Sequence, residues 1–501
     1  MAQTVGGFLL VLAVILPAGA VLLTLMSGRH AERIALLVMP AGLALALAIL
    51  AGVWHSGASL VYFLGGWAPP LGIALRADGL AAAMLVTTAL VIGAVGLFAR
   101  GSFSEKAAGA ETRAPLVFWT MLMGVWGALN AVWLGGDLFN LYVALELLTF
   151  SAVPLVCLDG RAETLAAALR YLLFALIGSA LYLLGAALFY GAYGTLDMAL
   201  LAGRVRAEPV VYVAAALMTA GLLAKTALFP LHLWLPPAHA GAPAAASAKL
   251  SSLVVKGSFF LVVRLWFDVL PGLPGVPAAQ MLGALGAAAI IFGSVLALRQ
   301  ARLKLLVAYS TIAQIGYLFL LFPLATGAAA SGIWGSFAWT GGVFQLISHA
   351  VAKAAMFMAA GLIGEALGHD RIARFAGIGR ALPMTVFAFG LAGMSLMGLP
   401  PSGGFVAKLM LLTAAVTERQ WWWAVVILVG GLLAAGYVFR VLAPALAVTG
   451  RPLVLHAPVA RSREAVVLAL AICAVLLGLV PLRPSELLQI GRPPLLLDPA
   501  P

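Results

Sequence analysis

Charged residues make up only 9% of this chain, while 64% are hydrophobic. A water-soluble domain carries roughly 25% charged residues, so the shortage excludes a water-exposed surface over 501 residues. What remains is a polytopic membrane protein with no stretch polar enough to form a soluble domain. Cysteine is scarce too. Cys157 and Cys473 give no CxxC spacing, which leaves no disulfide framework and no cysteine metal site. No phosphate-loop, CxxCH or HExxH pattern occurs, and the small-residue run GAPAAASAK (241–249) follows no strand. The expectation is a chain without cofactor, metal or catalytic residues, driven by an ion gradient or by partner subunits. The net charge of +12 is scattered over short loops, which argues against nucleic acid. The N-terminus has no basic n-region or small-residue cleavage site, so Phe8–Met26 reads as a retained span.

Apolar runs of roughly 17–25 residues are what a helix needs to cross a bilayer. Fourteen can be counted, and the two at 334–364 and 382–418 are long enough to be interrupted. Lys and Arg concentrate in cytoplasmic loops. With an outside N-terminus, 17 basic residues fall on the inside, Lys106 and Arg451 among them, and 7 on the outside. That bias predicts a multi-pass protein of the bacterial cell (inner) membrane with both termini on the outer side.

Five basic residues are left over, Lys225, Lys249, Lys256, Lys353 and Lys408, and all sit within apolar spans. All are lysines, while every arginine falls in a loop or towards a span end. Lysine can lose its proton when desolvated and arginine effectively cannot, so the pattern points to proton handling. Each central lysine costs about 2.5–3.5 kcal/mol on insertion scales, which makes such residues functional by default. Lys249 opens its span and could instead reach the interface with its long stem. Glu146, in GDLFNLYVALELLTF (136–150), is the carboxylate well inside a span. A lone buried carboxylate needs a cation or a proton, and Lys225 is the preferred partner.

Two lysines lie beside helix breakers: Lys225 precedes Pro230 by five residues, and Lys408 follows GLPPSGG (398–404) by four. A proline kink alone would explain either break. The coincidence with a buried lysine, twice, favours an interrupted helix lining an ion path. His349 and Lys353 are four apart and share a helix face, and Lys249 and Lys256, seven apart, are expected to share another. His232 and His239 flank LWLPPA and are secondary pathway candidates, as is Lys249.

Together GDLFNLYVALELL, AKTALFPLHLWLPPAH, LKLLVAYSTIAQIGY, SHAVAKAAMFMAAG and GLPPSGGFVAKLMLL resemble the antiporter-like subunits of respiratory complex I and Mrp-type sodium/proton antiporters. The D-type Mrp subunit is the nearest in pattern. The resemblance implies fourteen transmembrane helices, two inverted five-helix repeats and broken helices 7 and 12. It divides the chain into spans 1–3 (1–113), a first repeat (114–270), a second repeat (277–441) and a last span with tail (442–501). It carries a proton-pathway role onto Glu146, Lys225, Lys256, His349, Lys353 and Lys408. Two departures stand out: Pro237 replaces an acidic residue after WLP, and Lys249 is extra.

The leading expectation is a proton-translocating subunit of a multi-subunit membrane complex, of the Mrp cation/proton type. Its partners would be sister membrane subunits, protons, sodium and the lipid bilayer. A proton-pumping subunit of a complex I-like or hydrogenase complex is the alternative, as is the membrane subunit of a proton-coupled inorganic-carbon uptake system. A stand-alone transporter of a small anion, or a scaffold whose charges only hold helices together, would use the same lysines differently.

Overall fold

The computed structural model describes residues 3–100, 102–103, 113–273, 275–326, 333–448, 453–480 and 483–492. Lys106 and Arg451, used in the charge count, lie outside the described residues. Among the described residues the regular structure is helical except for one hairpin, in which β1 (Leu60–Phe63) pairs antiparallel with β2 (Ala74–Ala77), Leu60 opposite Ala77. The helices before it are α1 (Phe8–Ser27) and α2 (Ala31–Ser56), followed after it by α3 (Gly79–Ala99) and α4 (Ala114–Leu134). Then come α5 (Leu138–Val156), α6 (Ala162–Tyr193), α7 (Pro209–Thr226), α8 (Ala244–Val269) and α9 (Gly275–Arg299). After these, short helices aside, come α10 (Leu303–Leu324), α11 (Ile333–Leu367), α12 (Pro383–Met397), α13 (Gly403–Thr417), α14 (Trp421–Leu446) and α15 (Arg461–Leu479).

Among the described residues, 12 helical stretches are long and apolar enough to cross a membrane. The first, Phe8–Ser56, comprises both α1 and α2, while α12 and α13 are shorter apolar helices. Helix starts follow the local sequence. Asp78 caps α3 by accepting from the Ala81 amide, Asp137 caps α5, and Ser402 caps α13. Pro209 and Pro383 open α7 and α12, where a missing amide hydrogen costs nothing.

The two expected interruptions are present. Helix α7 stops at Thr226 because Ala227 turns left-handed, with φ 59°. The chain then loops through Pro230 into a short helix, Leu235–Gly241. Helix α12 stops at Gly398, φ 83°, and α13 restarts after Ser402. Between the two interruptions in the chain comes α8, buried along its whole apolar window. It contains two π-helical turns, Leu250–Val254 and Arg264–Val269.

Candidate functional site

Lys225 occupies the last turn of α7 and is 8% exposed. Its Nζ donates to Glu146 Oε1 at 3.1 Å and to Thr149 Oγ1 at 3.1 Å, both on α5. Ser179 of α6 donates to the same carboxylate oxygen. The expected pair thus forms, and α5, α6 and α7 converge on it. A cavity of about 10 Å³ lies beside Lys225, lined by Leu145, Thr149, Tyr171 and Ser258, near the lower bound for one water. The open end of α7 is closed by Trp234, whose indole donates to the Ala224 carbonyl at 2.9 Å.

Lys408 solves the same problem at the second break. Its ammonium donates to the Leu396 carbonyl at 2.6 Å and the Met397 carbonyl at 3.5 Å. These are final-turn carbonyls of α12, which have no partner within the helix. The Tyr317 ring lies 4.1 Å below the same charge, a cation–π contact. Lys353, fully buried in α11, donates to the Val307 carbonyl at 2.9 Å and to Ser310 Oγ at 2.5 Å. Lys256 donates to the Ser251 carbonyl within the first π turn of α8. That turn separates Lys249 from Lys256, so the shared face expected from a seven-residue α-helical spacing is wound out of phase. Lys249 Nζ has no hydrogen-bond partner among the described residues.

His349 sits one turn from Lys353, and electrostatics links it to Lys256, Lys353 and Lys408. Neither of its ring nitrogens has a partner among the described residues. His239 is more central than its sequence position suggests. It is fully buried, its ring stacks on Phe357 of α11 with centroids 4.5 Å apart, and it feels Lys256, Lys353 and Lys304. Lys304 in turn lines a polar cavity of about 450 Å³ with Arg161, Arg302, Glu365, His369 and Asp370. His232 stands apart from this line, packed between Phe229 and Phe292.

Sequence reasoning missed the amides. Gln314 of α10 donates to the Leu396 carbonyl and the Tyr437 hydroxyl, and accepts from Gln345 of α11, each at 3.1 Å. An amide in an apolar helix has no spacing signature to betray it. The reading of α8 also needs correction, because interior charge is not confined to lysines and Glu146. Arg264 and Asp268 are 5% and 7% exposed in its last turns and bonded to each other at 2.7 Å. Pairing is what allows an arginine there.

The family model described as "NADH:quinone oxidoreductase/Mrp antiporter, TM" matches residues 135–434. The chain belongs to this family. All nine candidate pathway residues fall inside the matched range. An NADH-quinone oxidoreductase subunit (N-type) of Desulforudis audaxviator is 35% identical over 411 residues, covering 80% of this chain and 79% of that protein. The D-type subunit of the Na(+)/H(+) antiporter of Bacillus subtilis is 32% identical over 348 residues, covering 69% of this chain and 67% of the relative. A chain of the Mrp complex from Dietzia sp. superposes with a TM-score of 0.86 at 26% identity, covering 97% of this chain and 96% of that one. The antiporter family therefore accounts for the multi-pass helical fold, and these relatives are subunits of larger membrane complexes.

Proposed function

We propose that the chain carries protons through the membrane as one subunit of a multi-subunit complex, of the Mrp cation/proton antiport type. The observation that carries this reading is the Glu146–Lys225 ion pair at the end of a broken helix. It is followed inward by Lys256, His349 with Lys353, and Lys408 at the second break. Each group can hold or release a proton, and no arginine interrupts the series. His239 and Lys304 extend it towards the polar cavity, which serves as the inlet. Opening the Glu146–Lys225 pair removes the anion that favours the charged lysine, so the pair acts as the switch. His232 and Lys249 stand outside the working path. The sodium site and the energy source belong to sister subunits.

The architecture proposed with it has fourteen crossings, counting α1 and α2 separately and α12 with α13 as one. It groups into spans 1–3, two inverted repeats over 114–270 and 277–441, and a last span within 442–501. The loop charges favour placing both termini on the outer side of a bacterial inner membrane. A redox-driven complex is the second reading, favoured by the 35% identity to a quinone oxidoreductase subunit.

The test is transport by the assembled complex in proteoliposomes. Lys225→Ala and Glu146→Ala should each lower proton transport at least tenfold while sister subunits still co-purify. A complex that assembles with either variant and transports at the parental rate would sink the relay.

A further inference from the structure

The proposed relay stops short of the membrane face at which the hairpin lies, and a second set of charges is buried there. Arg264 donates to both oxygens of Asp78, at 2.5 and 2.8 Å, and to Asp268 at 2.7 Å. All three residues are at most 7% exposed. Asp78 is the better satisfied carboxylate, because it takes a two-pronged guanidinium and also caps α3. Asp268 shares that guanidinium through a single bond. Two carboxylates against one guanidinium leave a buried negative charge, which is costly without a further cation or a proton.

The other charged groups that face Asp268 are two arginines, Arg76 from β2 and Arg492 from the C-terminal segment. The short helix Met198–Ala202 packs on the same turn, and its charge is the capping Asp197, which accepts from the Leu200 amide. Arg76 is committed to the Gly491 carbonyl. Arg492 lies over the Trp339 ring at 4.9 Å, and its Nη2 is buried without a hydrogen-bond partner among the described residues. The segment bearing it is clipped to the bundle, since the Gly79 amide donates to Ile490 at 3.0 Å and the Trp339 indole to Leu488 at 2.8 Å. Trp339 and His349 lie on one helix, ten residues or about 15 Å apart. Between them, Thr340 Oγ1 and Gln345 Oε1 are buried polar atoms without partners among the described residues, stepping stones for a water chain.

We propose that Asp268 is a proton-exchanging site at the hairpin face, filled and emptied as the Arg492 side chain swings towards it and back to its place over the Trp339 ring. With Arg492 close, the carboxylate is held as the anion and its proton passes to the water outside. With Arg492 withdrawn, the carboxylate accepts a proton delivered along α11. The inference rests on the relay reading and extends it to the outlet.

The experiment uses the intact complex in proteoliposomes, with pH set separately on the two faces. Asp268→Asn should lower transport at least tenfold with assembly intact. Arg492→Ala should lower transport severalfold and move the dependence of what remains on pH at the hairpin face upward by about one unit, since losing a nearby cation raises a carboxylate pKa. Arg492→Lys should restore the parental profile. Parental transport by Asp268→Asn, or an unshifted profile in Arg492→Ala, would reduce the cluster to a structural clasp. If Asp268→Asn fails to assemble, the Arg492→Ala profile decides. Lys225→Ala measured alongside separates the two ideas: its loss of transport with no effect in the other variants overturns the outlet alone.

Discussion

An ammonium group taken out of water must find acceptors or give up its charge, and the five interior lysines divide on that choice. Lys225, Lys256, Lys353 and Lys408 each donate to a nearby oxygen. Lys249 is 1% exposed and donates to none among the described residues. Replacing it by leucine removes a desolvation penalty and breaks no bond. Lys249→Leu should therefore stabilise the protein by about 1–3 kcal/mol, read as a higher Tm in detergent, with transport unchanged. Loss of transport at an unchanged Tm would make Lys249 a station in its own right. Arg264→Leu goes the other way, stranding two buried carboxylates at a cost of about 3–5 kcal/mol. The check is a lower Tm or failed extraction. The lysines were legible in the sequence because charge is so rare in it. Arg264 was not, because a residue five positions from a helix end looks the same whether it reaches water or a buried aspartate.

At the level of the helix, the breaks were legible and the windings were not. Pro230 and the GLPPS segment mark where backbone hydrogen bonding must stop, and both interruptions fall there. The π turns of α8 carry no such mark, since LSSLV and RLWFDV read as ordinary apolar helix. The β1–β2 hairpin is similar, with two four-residue strands hidden in what reads as a loop. Small residues decide how closely α6 and α7 approach. A Cβ on Gly178 would lie 2.6 Å from the Gly221 carbonyl and 3.1 Å from Lys225 Cγ, and one on Gly221 would lie 2.2 Å from the Gly178 carbonyl. Such mutual contact is what small residues permit in membrane bundles. Gly178→Leu should force α6 from α7 and displace Lys225. The expected readout is reduced transport with a lower Tm, whereas a variant of parental activity would show the crossing to be slack.

For the whole molecule, composition alone settled the membrane setting, and apolar runs gave the all-helical, multi-span character of the fold. What it could not give is which outer faces meet lipid and which meet protein. Trp421, Trp422, Val425, Leu428 and Leu432 of α14 are 54–75% exposed, as are Leu169, Leu173 and Ile177 of α6 at 60%. Lipid tails and a sister protein satisfy such faces equally well, so the sequence signal is the same for both. Purified in mild detergent from its own cells, the tagged chain should co-elute with other hydrophobic subunits. Elution as a single species that transports protons by itself would contradict the complex.

Lys408 reaches across a gap in the backbone to hold the last turn of α12 from outside that helix. Its charge and the winding of α12 therefore form one variable. A proton leaving the amine would weaken both bonds, leaving the Leu396 carbonyl to Gln314, and a proton arriving would draw the turn tight. The relation is reciprocal, so a push on α12 from a neighbouring subunit changes the acidity of Lys408. A mechanical displacement at the side of the bundle can in this way be exchanged for a proton at its centre, with a single side chain as the transducer.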